Sequence, residues 1–143
     1  MKVTPKILTD RNIVPKREDD IQRAVLDVLR YVFPDTIPNP HIAQVTKTYK
    51  PDFGIRSLKA LVEFKFATSK AQAMENMGGV YGDMKGYAGS EDWSHCYSVF
   101  YMTDHFIGQE QIDAEWKTTA KNENWTPIVV FGKGERKLPK TKA

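Results

Sequence analysis

Asp52, Glu63 and Lys65 are the residues of this chain whose types and spacing suit chemistry. They lie within PDFGIRSLKALVEFKF, Pro51 to Phe66, where ALVEFKFA reads as a strand. Side chains alternate along a strand, so Leu61, Glu63 and Lys65 share one face, and Val62, Phe64 and Phe66 share the other. The second set is a core face. The first shows an acid and an amine two residues apart in a strand apolar enough to be central, and a buried charge needs a partner or a metal. If PDFGI and ALVEF form a hairpin turning through RSLK, with Ile55 facing Ala60, the register sets Asp52 opposite Glu63. Their Cβ atoms then lie roughly 4.5–5.5 Å apart on one face.

Two carboxylates that close disfavour joint ionisation unless a cation sits between them. Mg²⁺ meets that need, taking oxygen ligands from one or two carboxylates plus substrate phosphates, and Mn²⁺ is expected to substitute. Gly54 is expected to leave the neighbouring surface bare for a bulky ligand. Lys65 lies about 7 Å from Glu63 at roughly 3.3 Å rise per residue. It could orient or help deprotonate an attacking water, or stabilise charge developing on a phosphate. The ion would supply Lewis acidity and lower the pKa of its water. Asp, Glu and Lys converging without histidine suit phosphodiester hydrolysis better than acyl transfer. The competing reading is a surface hairpin with an ordinary Glu–Lys pair. At average composition the bare string recurs by accident in roughly one chain in twenty, so its placement carries more than its letters.

The elements that must hold these residues follow from the pattern. Residues 1–17 contain Pro5 and Pro15 and no clear period, which predicts an arm or a short strand. A helix is expected from Glu18: three acids favour the positive end of the helix dipole, Ile21, Val25, Val28, Leu29 and Val32 recur at helical spacing, and Pro34 ends it. DTIPNPH is a connector. IAQVTKTY, PDFGIRS and ALVEFKFA then predict three strands, an antiparallel meander. Thr68 and Ser69 are candidate caps of a second helix, with Met77, Val80, Met84 and Tyr87 along one face. SHCYSVFYMT is a buried strand, residues 109–124 a polar helix and WTPIVVFG a last strand. The expected fold is α/β, with helices packed on the sheet.

Pro51–Asp52 and Glu63–Phe64–Lys65 resemble the PD-(D/E)XK motif of the restriction-endonuclease-like nuclease superfamily. The helix–meander–helix–strand order from about Glu18 to Phe131 is similar too. The resemblance implies a restriction-endonuclease-like core, its three-strand meander extended by further strands into a mixed sheet. It implies Asp52 and Glu63 as metal ligands, joined by the Phe64 backbone carbonyl, and Lys65 as the catalytic lysine. A first-helix glutamate completes the site in many members. Glu18 is the candidate, three and seven residues before Ile21 and Val25 and so bordering the inward face; the alternative is a surface residue that compensates the dipole. A subset of these nucleases carries Asp-x-x-x-Tyr in the second helix, here Asp83 to Tyr87.

Gly78, Gly82 and Gly86 fall at four-residue steps in that helix, each costing about 1 kcal/mol against alanine. Such a stripe predicts close approach of another backbone, a packed helix ahead of a nucleic-acid strand. The partner implied is nucleic acid, DNA ahead of RNA, with Lys50, Lys85, Tyr87, Lys133, Arg136 and Lys137 as candidate contacts. The expected activity is that of a metal-dependent nuclease in restriction, repair or defence. The alternatives are a Holliday-junction-resolvase-like endonuclease and a non-catalytic nucleic-acid-binding or scaffold domain. Sequence preference would come from a homodimer or from a fused or partner recognition subunit.

Composition bounds these readings. With 143 residues, 41% hydrophobic and 27% charged, the chain suits one globular domain and not a collagen-like, disordered or disulfide-rich class. No stretch approaches the roughly 20 apolar residues of a membrane helix, and MKVTPKILTDR lacks the apolar run of a signal peptide. Cys96 has no second cysteine to pair with, which fits a reducing, cytoplasmic compartment. Net charge is +3, but residues 133–143 hold five cations against one acid, leaving the remaining 132 residues at −1. The expected organisation is an arm at 1–17, a nuclease-like domain at 18–132 and a flexible basic tail at 133–143, able to add phosphate affinity by counterion release. His41, His95 and His105 are too far apart for a compact zinc set. Trp93, Trp116 and Trp125 read as core or edge aromatics.

Overall fold

The computed structural model describes residues 1–40, 42–43, 48–49, 51–87, 92–117 and 124–135, and the side chains of these apart from 42, 43, 48, 49, 81 and 84–87. In chain order the elements are α1 (Thr4–Asp10), α2 (Glu18–Val32), β1 (Thr36–Pro38), β2 (Ile42–Ala43), β3 (Thr48–Tyr49), β4 (Phe53–Ile55), β5 (Ala60–Ala67), α3 (Lys70–Tyr87), β6 (His95–Met102), α4 (Gln109–Glu115) and β7 (Trp125–Phe131). Five strands make one mixed sheet in the order β1-β4-β5-β6-β7, so β5 is its central strand. β1, β4 and β5 are antiparallel neighbours, whereas β6 and β7 join in parallel. Parallel neighbours need a crossover, and α3 and α4 lie in those two connections.

Alternation along β5 decides which layer covers which face. Val62, Phe64 and Phe66 enter a core with Val99, Tyr101, Leu8 of α1, and Ile21, Val25 and Leu29 of α2. Leu61 and Ala67 enter the opposite core with Phe100, Met102, Ala73, Met77 and Val80 of α3, and Ile112 of α4. The result is an α/β fold of three layers, with α1 and α2 on one face of the sheet and α3 and α4 on the other. α2 starts where expected because Asp20 reaches back to accept the Lys16 and Arg17 N–H groups, at 2.9 and 3.2 Å. Ser69 caps α3, its Oγ accepting the Gln72 N–H at 3.2 Å. Trp116 and Trp125 are buried core residues, and their indole N–H groups reach the Trp125 carbonyl and Ser98 Oγ.

Several expectations need correction. Residues 4–10 are helical, not an arm or a strand: Pro5 sits in the first turn, where its missing N–H costs nothing, and Leu8 is buried in the core. The first strand of the meander is β1, inside the stretch read as a connector; Pro38 is tolerated because β1 is an edge strand. Within residues 42–49 only the short β2–β3 pair is described, forming its own two-stranded sheet. Val32 is exposed, and Ala24 takes the inward position instead. Among the described residues a Cβ on Gly78 or Gly82 would meet nothing within 4 Å, so no helix among them packs on this part of the glycine stripe. The first tail residues are held: Tyr101 donates to the Lys133 carbonyl at 2.6 Å, and the Glu135 N–H to the Pro15 carbonyl at 2.8 Å. Among the described residues no helix is long and apolar enough to cross a membrane.

Candidate active site

The β4–β5 register is the one expected from loop length. Ile55 pairs with Ala60, Gly54 with Leu61 and Phe53 with Val62, around a tight turn at Arg56–Leu58 that Lys59 closes in the left-handed conformation. Asp52 is the second residue before Gly54, and so stands one step past the last paired residue, opposite Glu63. The ladder stops there for a chemical reason. Pro51 occupies the position that would face Phe64 and has no N–H to give the Phe64 carbonyl. The Phe64 N–H donates to the Asp52 carboxylate, with Oδ2 accepting at 2.7 Å. In a strand the carbonyl of a residue points to the same side as its N–H, so the Phe64 carbonyl is directed to this open edge as well. The Asp52 backbone is itself fixed, its carbonyl accepting from the Asn39 N–H at 2.8 Å.

One step further along the same edge, Phe66 is treated in the same way. Its N–H donates to Glu18 Oε1 at 3.3 Å, and its carbonyl accepts from Asn76 Nδ2 at 3.1 Å. Glu18, at the start of α2, and Asn76, on α3, therefore reach β5 from the two helical layers. Glu63 is 7% exposed in the middle of the sheet; among the described residues its Oε2 has no hydrogen-bond donor, and Asp83 lies close enough to share a proton with this carboxyl. The Lys65 ammonium stands 3.8 Å from Glu63 Oε1 and 3.9 Å from Asp83 Oδ2 of α3.

Burial dominates the electrostatics. It pushes the Asp52 carboxyl up to about 6, with Glu18 and Asp83 adding to the rise and the Phe64 N–H and Lys65 opposing it. It pushes Glu63 up to about 8, opposed by Lys65 and reinforced by Asp83 and Asp52. For Lys65, burial acts against the charged form, but Glu63, Glu18, Asp83 and Asp52 outweigh it and hold the amine above its ordinary range. An amine so held keeps its proton at neutral pH, so in the ion-free protein it offers hydrogen bonds and not a basic lone pair. Burial likewise raises the Cys96 thiol, which makes it an unreactive core residue.

These donors suit a divalent cation in part. Two carboxylates whose ionised forms are disfavoured, one with an oxygen that meets no donor among the described residues, form a place where positive charge would be stabilised. Among the described residues, no group of three or more His, Cys, Asp or Glu is arranged to hold an ion. An ion here would take two carboxylates, a backbone carbonyl and exogenous oxygens, which is the coordination habit of Mg²⁺.

The structure thus brings Asp52, Glu63, the Phe64 backbone, Lys65 and Glu18 to one region, where β5 extends past β4. It closes the space foreseen at Gly54: a Cβ there would run into the Trp93 ring, so that surface is covered and no bulky ligand enters by it. Lys133 is an exposed side chain. Lys50, Arg136 and Lys137 lie outside the described residues, as do the side chains of Lys85 and Tyr87, whose backbones belong to α3. Asn76 carried no role in the sequence reading, and Asp83 entered it only as the first residue of the Asp-x-x-x-Tyr pattern. Asn76 and Asp83 are seven residues apart, two helical turns, and such spacing of polar residues beside the buried Ala73, Met77 and Val80 was the available signal. No protein-family profile, no curated protein sequence and no solved structure matches the chain significantly.

Proposed function

We propose that this protein is a metal-dependent phosphodiesterase of the PD-(D/E)XK, restriction-endonuclease-like type, acting on nucleic acid and on DNA ahead of RNA. The observation that carries the reading is Glu63. A carboxylate 7% exposed on the central strand, with an oxygen that meets no donor among the described residues, is destabilising unless a cation or a proton joins it. Asp52 beside it and Lys65 next along the strand make the set that hydrolysis of a phosphodiester needs.

In this reading Asp52, Glu63 and the Phe64 carbonyl hold Mg²⁺, which when bound supplies Lewis acidity and a more acidic water. The protein's own groups do the rest. The Phe64 N–H fixes one Asp52 oxygen and so aims the other. Lys65, kept as an ammonium by the surrounding acids, donates to charge building on the phosphate rather than accepting a proton from water. Glu18 aligns the edge of β5 through Phe66 and adds negative charge that favours a cation. Lys133 and the basic residues after it would supply phosphate affinity without sequence preference.

A non-catalytic nucleic-acid-binding domain of the same fold is the second reading, favoured by the lack of a three-residue ligand group among the described residues. Purified protein incubated with linear, supercoiled, branched and single-stranded DNA, with Mg²⁺ or Mn²⁺, separates the two. Cleavage lost in Asp52→Asn and Glu63→Gln, with DNA binding retained, supports the enzyme. Binding without any ion-dependent cleavage that these substitutions remove would transfer the assignment to the binding domain.

A further inference from the structure

Asp83 differs from the other acids around the site. Asp52 and Glu18 each use an oxygen to accept a backbone N–H of β5. Asp83 instead addresses side chains: its Oδ2 stands 3.9 Å from Lys65 Nζ, and it lies close enough to Glu63 to hydrogen-bond with it when one of the two carboxyls holds a proton, a proton that a cation on Glu63 would displace. Lys65 Nζ is 3.8 Å from Glu63 Oε1, so the ammonium sits between two carboxylates from different elements, paired with both and claimed by neither. The Lys65 and Asp83 side chains are 20% and 26% exposed, so water screens them only in part. Asp83 also arrives on a fixed support, because Asn76, two turns earlier on α3, is bonded to the Phe66 carbonyl.

We infer that Asp83 is a positioning residue: from α3 it holds the Lys65 ammonium over the site and leaves Glu63 free to take a divalent cation. A lysine whose sole partner was Glu63 would compete with that cation for the same carboxylate. It would then be repelled once the cation bound. A second carboxylate removes the conflict, since it keeps the ammonium near while Glu63 Oε2 meets no donor among the described residues. The purpose assigned to Asp83 rests on the phosphodiesterase reading, but its hold on Lys65 can be tested without it.

Side-chain ¹H–¹⁵N spectra of the lysine ammonium groups test that hold directly. The Lys65 signal, assigned by its absence in Lys65→Arg, is expected to be sharp in the wild type, broadened or lost in Asp83→Asn, and recovered in Asp83→Glu. An unchanged Lys65 signal in Asp83→Asn overturns the inference. Mn²⁺ titration tests the consequence. Asp83→Asn should weaken Mn²⁺ binding by about tenfold or more, in the range of other groups that orient a ligand shell. The same change made in a Lys65→Met background should matter much less, because no ammonium is left to compete for Glu63. Equal losses in both backgrounds would make Asp83 a ligand in its own right and overturn the positioning role. Absence of Mn²⁺ binding by the wild type would instead remove the phosphodiesterase reading, and the Lys65 signal alone would then decide whether Asp83 positions the ammonium.

Discussion

On one face of β5, Val62, Phe64 and Phe66 are buried among apolar side chains from α1, α2 and the neighbouring strands. On the other face Leu61 and Ala67 do the same against α3 and α4, yet the two positions between them are Glu63 and Lys65. The central strand, which contributes to both cores, thus interrupts one of them with charge. The two edges differ in parallel. Toward β6 the ladder runs unbroken from Ala60 to Ala67, whereas toward β4 it ends at Val62, and Asp52, just before β4, takes over with Glu18 of α2 and Asn76 of α3. An apolar face and a complete ladder stabilise the fold. An acid in a sheet with an open edge does neither, and its presence is what points to function.

The sharpest way to break this contrast is to truncate one residue on each face. Phe64→Ala should cost about 3–5 kcal/mol, the usual loss for a buried aromatic that leaves a cavity. Glu63→Gln, nearly isosteric and one position away, should cost far less and at pH 8 should stabilise the ion-free protein, because it removes a buried charge. Urea denaturation at pH 8 measures both. Comparable losses from the two substitutions would mean that Glu63 is a structural residue and the faces are equivalent.

Acidity gives the next largest effect. The folded carboxyls of Asp52 and Glu63 lie near 6 and 8, above the ordinary 3.8 and 4.5. The folded state therefore keeps protons that the unfolded chain has released, and stability falls as pH rises through that interval. The ion-free protein should be more stable at pH 5 than at pH 8, with the decline levelling off above about pH 8. Glu63→Gln should flatten most of that slope. Millimolar Mg²⁺ should raise the melting temperature more at pH 8 than at pH 5, since the ion competes with those protons. A pH-independent melting temperature between 5 and 8 would show that neither carboxyl is held high.

Much of this arrangement was legible in the residues. Strand alternation placed Glu63 and Lys65 opposite Val62, Phe64 and Phe66, and a four-residue turn fixed the register with Asp52, because period and loop length are local properties. The misses have a common cause. Pro5 and Pro38 were read as breakers, yet one opens a helix and the other lies at a sheet edge, and only the tertiary position distinguishes these uses. Gly54 suggested open space until Trp93, distant in sequence, filled it. Asp83 was marked by the Asp-x-x-x-Tyr pattern, but its contact with Lys65, and the role of Asn76, arose only when the crossover laid α3 over β5.

The edge itself can be sharpened with Asp52. Asp52→Ala leaves the Phe64 N–H without its acceptor, whereas Asp52→Asn can keep an amide oxygen there without the charge. Asn should therefore be the more stable of the two by about 1 kcal/mol, the net value of a typical hydrogen bond. Both should be equally poor in ion binding, which separates the structural role of Asp52 from its charge. Thermal unfolding together with Mn²⁺ titration of the pair reads out the two roles independently.

The smallest effect is expected at Asn76, and its sign is instructive. Asn76→Ala removes the bond to the Phe66 carbonyl, worth roughly 0.5–1.5 kcal/mol. Alanine is also the better helix former by up to about 0.7 kcal/mol, so the net loss should be under about 1 kcal/mol. Asn76→Asp is the stricter probe. A carboxylate has no proton to give the Phe66 carbonyl and adds negative charge beside Glu18, Asp52, Glu63 and Asp83. It should therefore destabilise the ion-free protein more than alanine does at pH 8, and the excess should shrink toward pH 4 as the added acid is protonated. If Asn76→Asp and Asn76→Ala unfold alike across that range, Asn76 is not bonded to β5 as described, and the support it lends to Asp83 is lost.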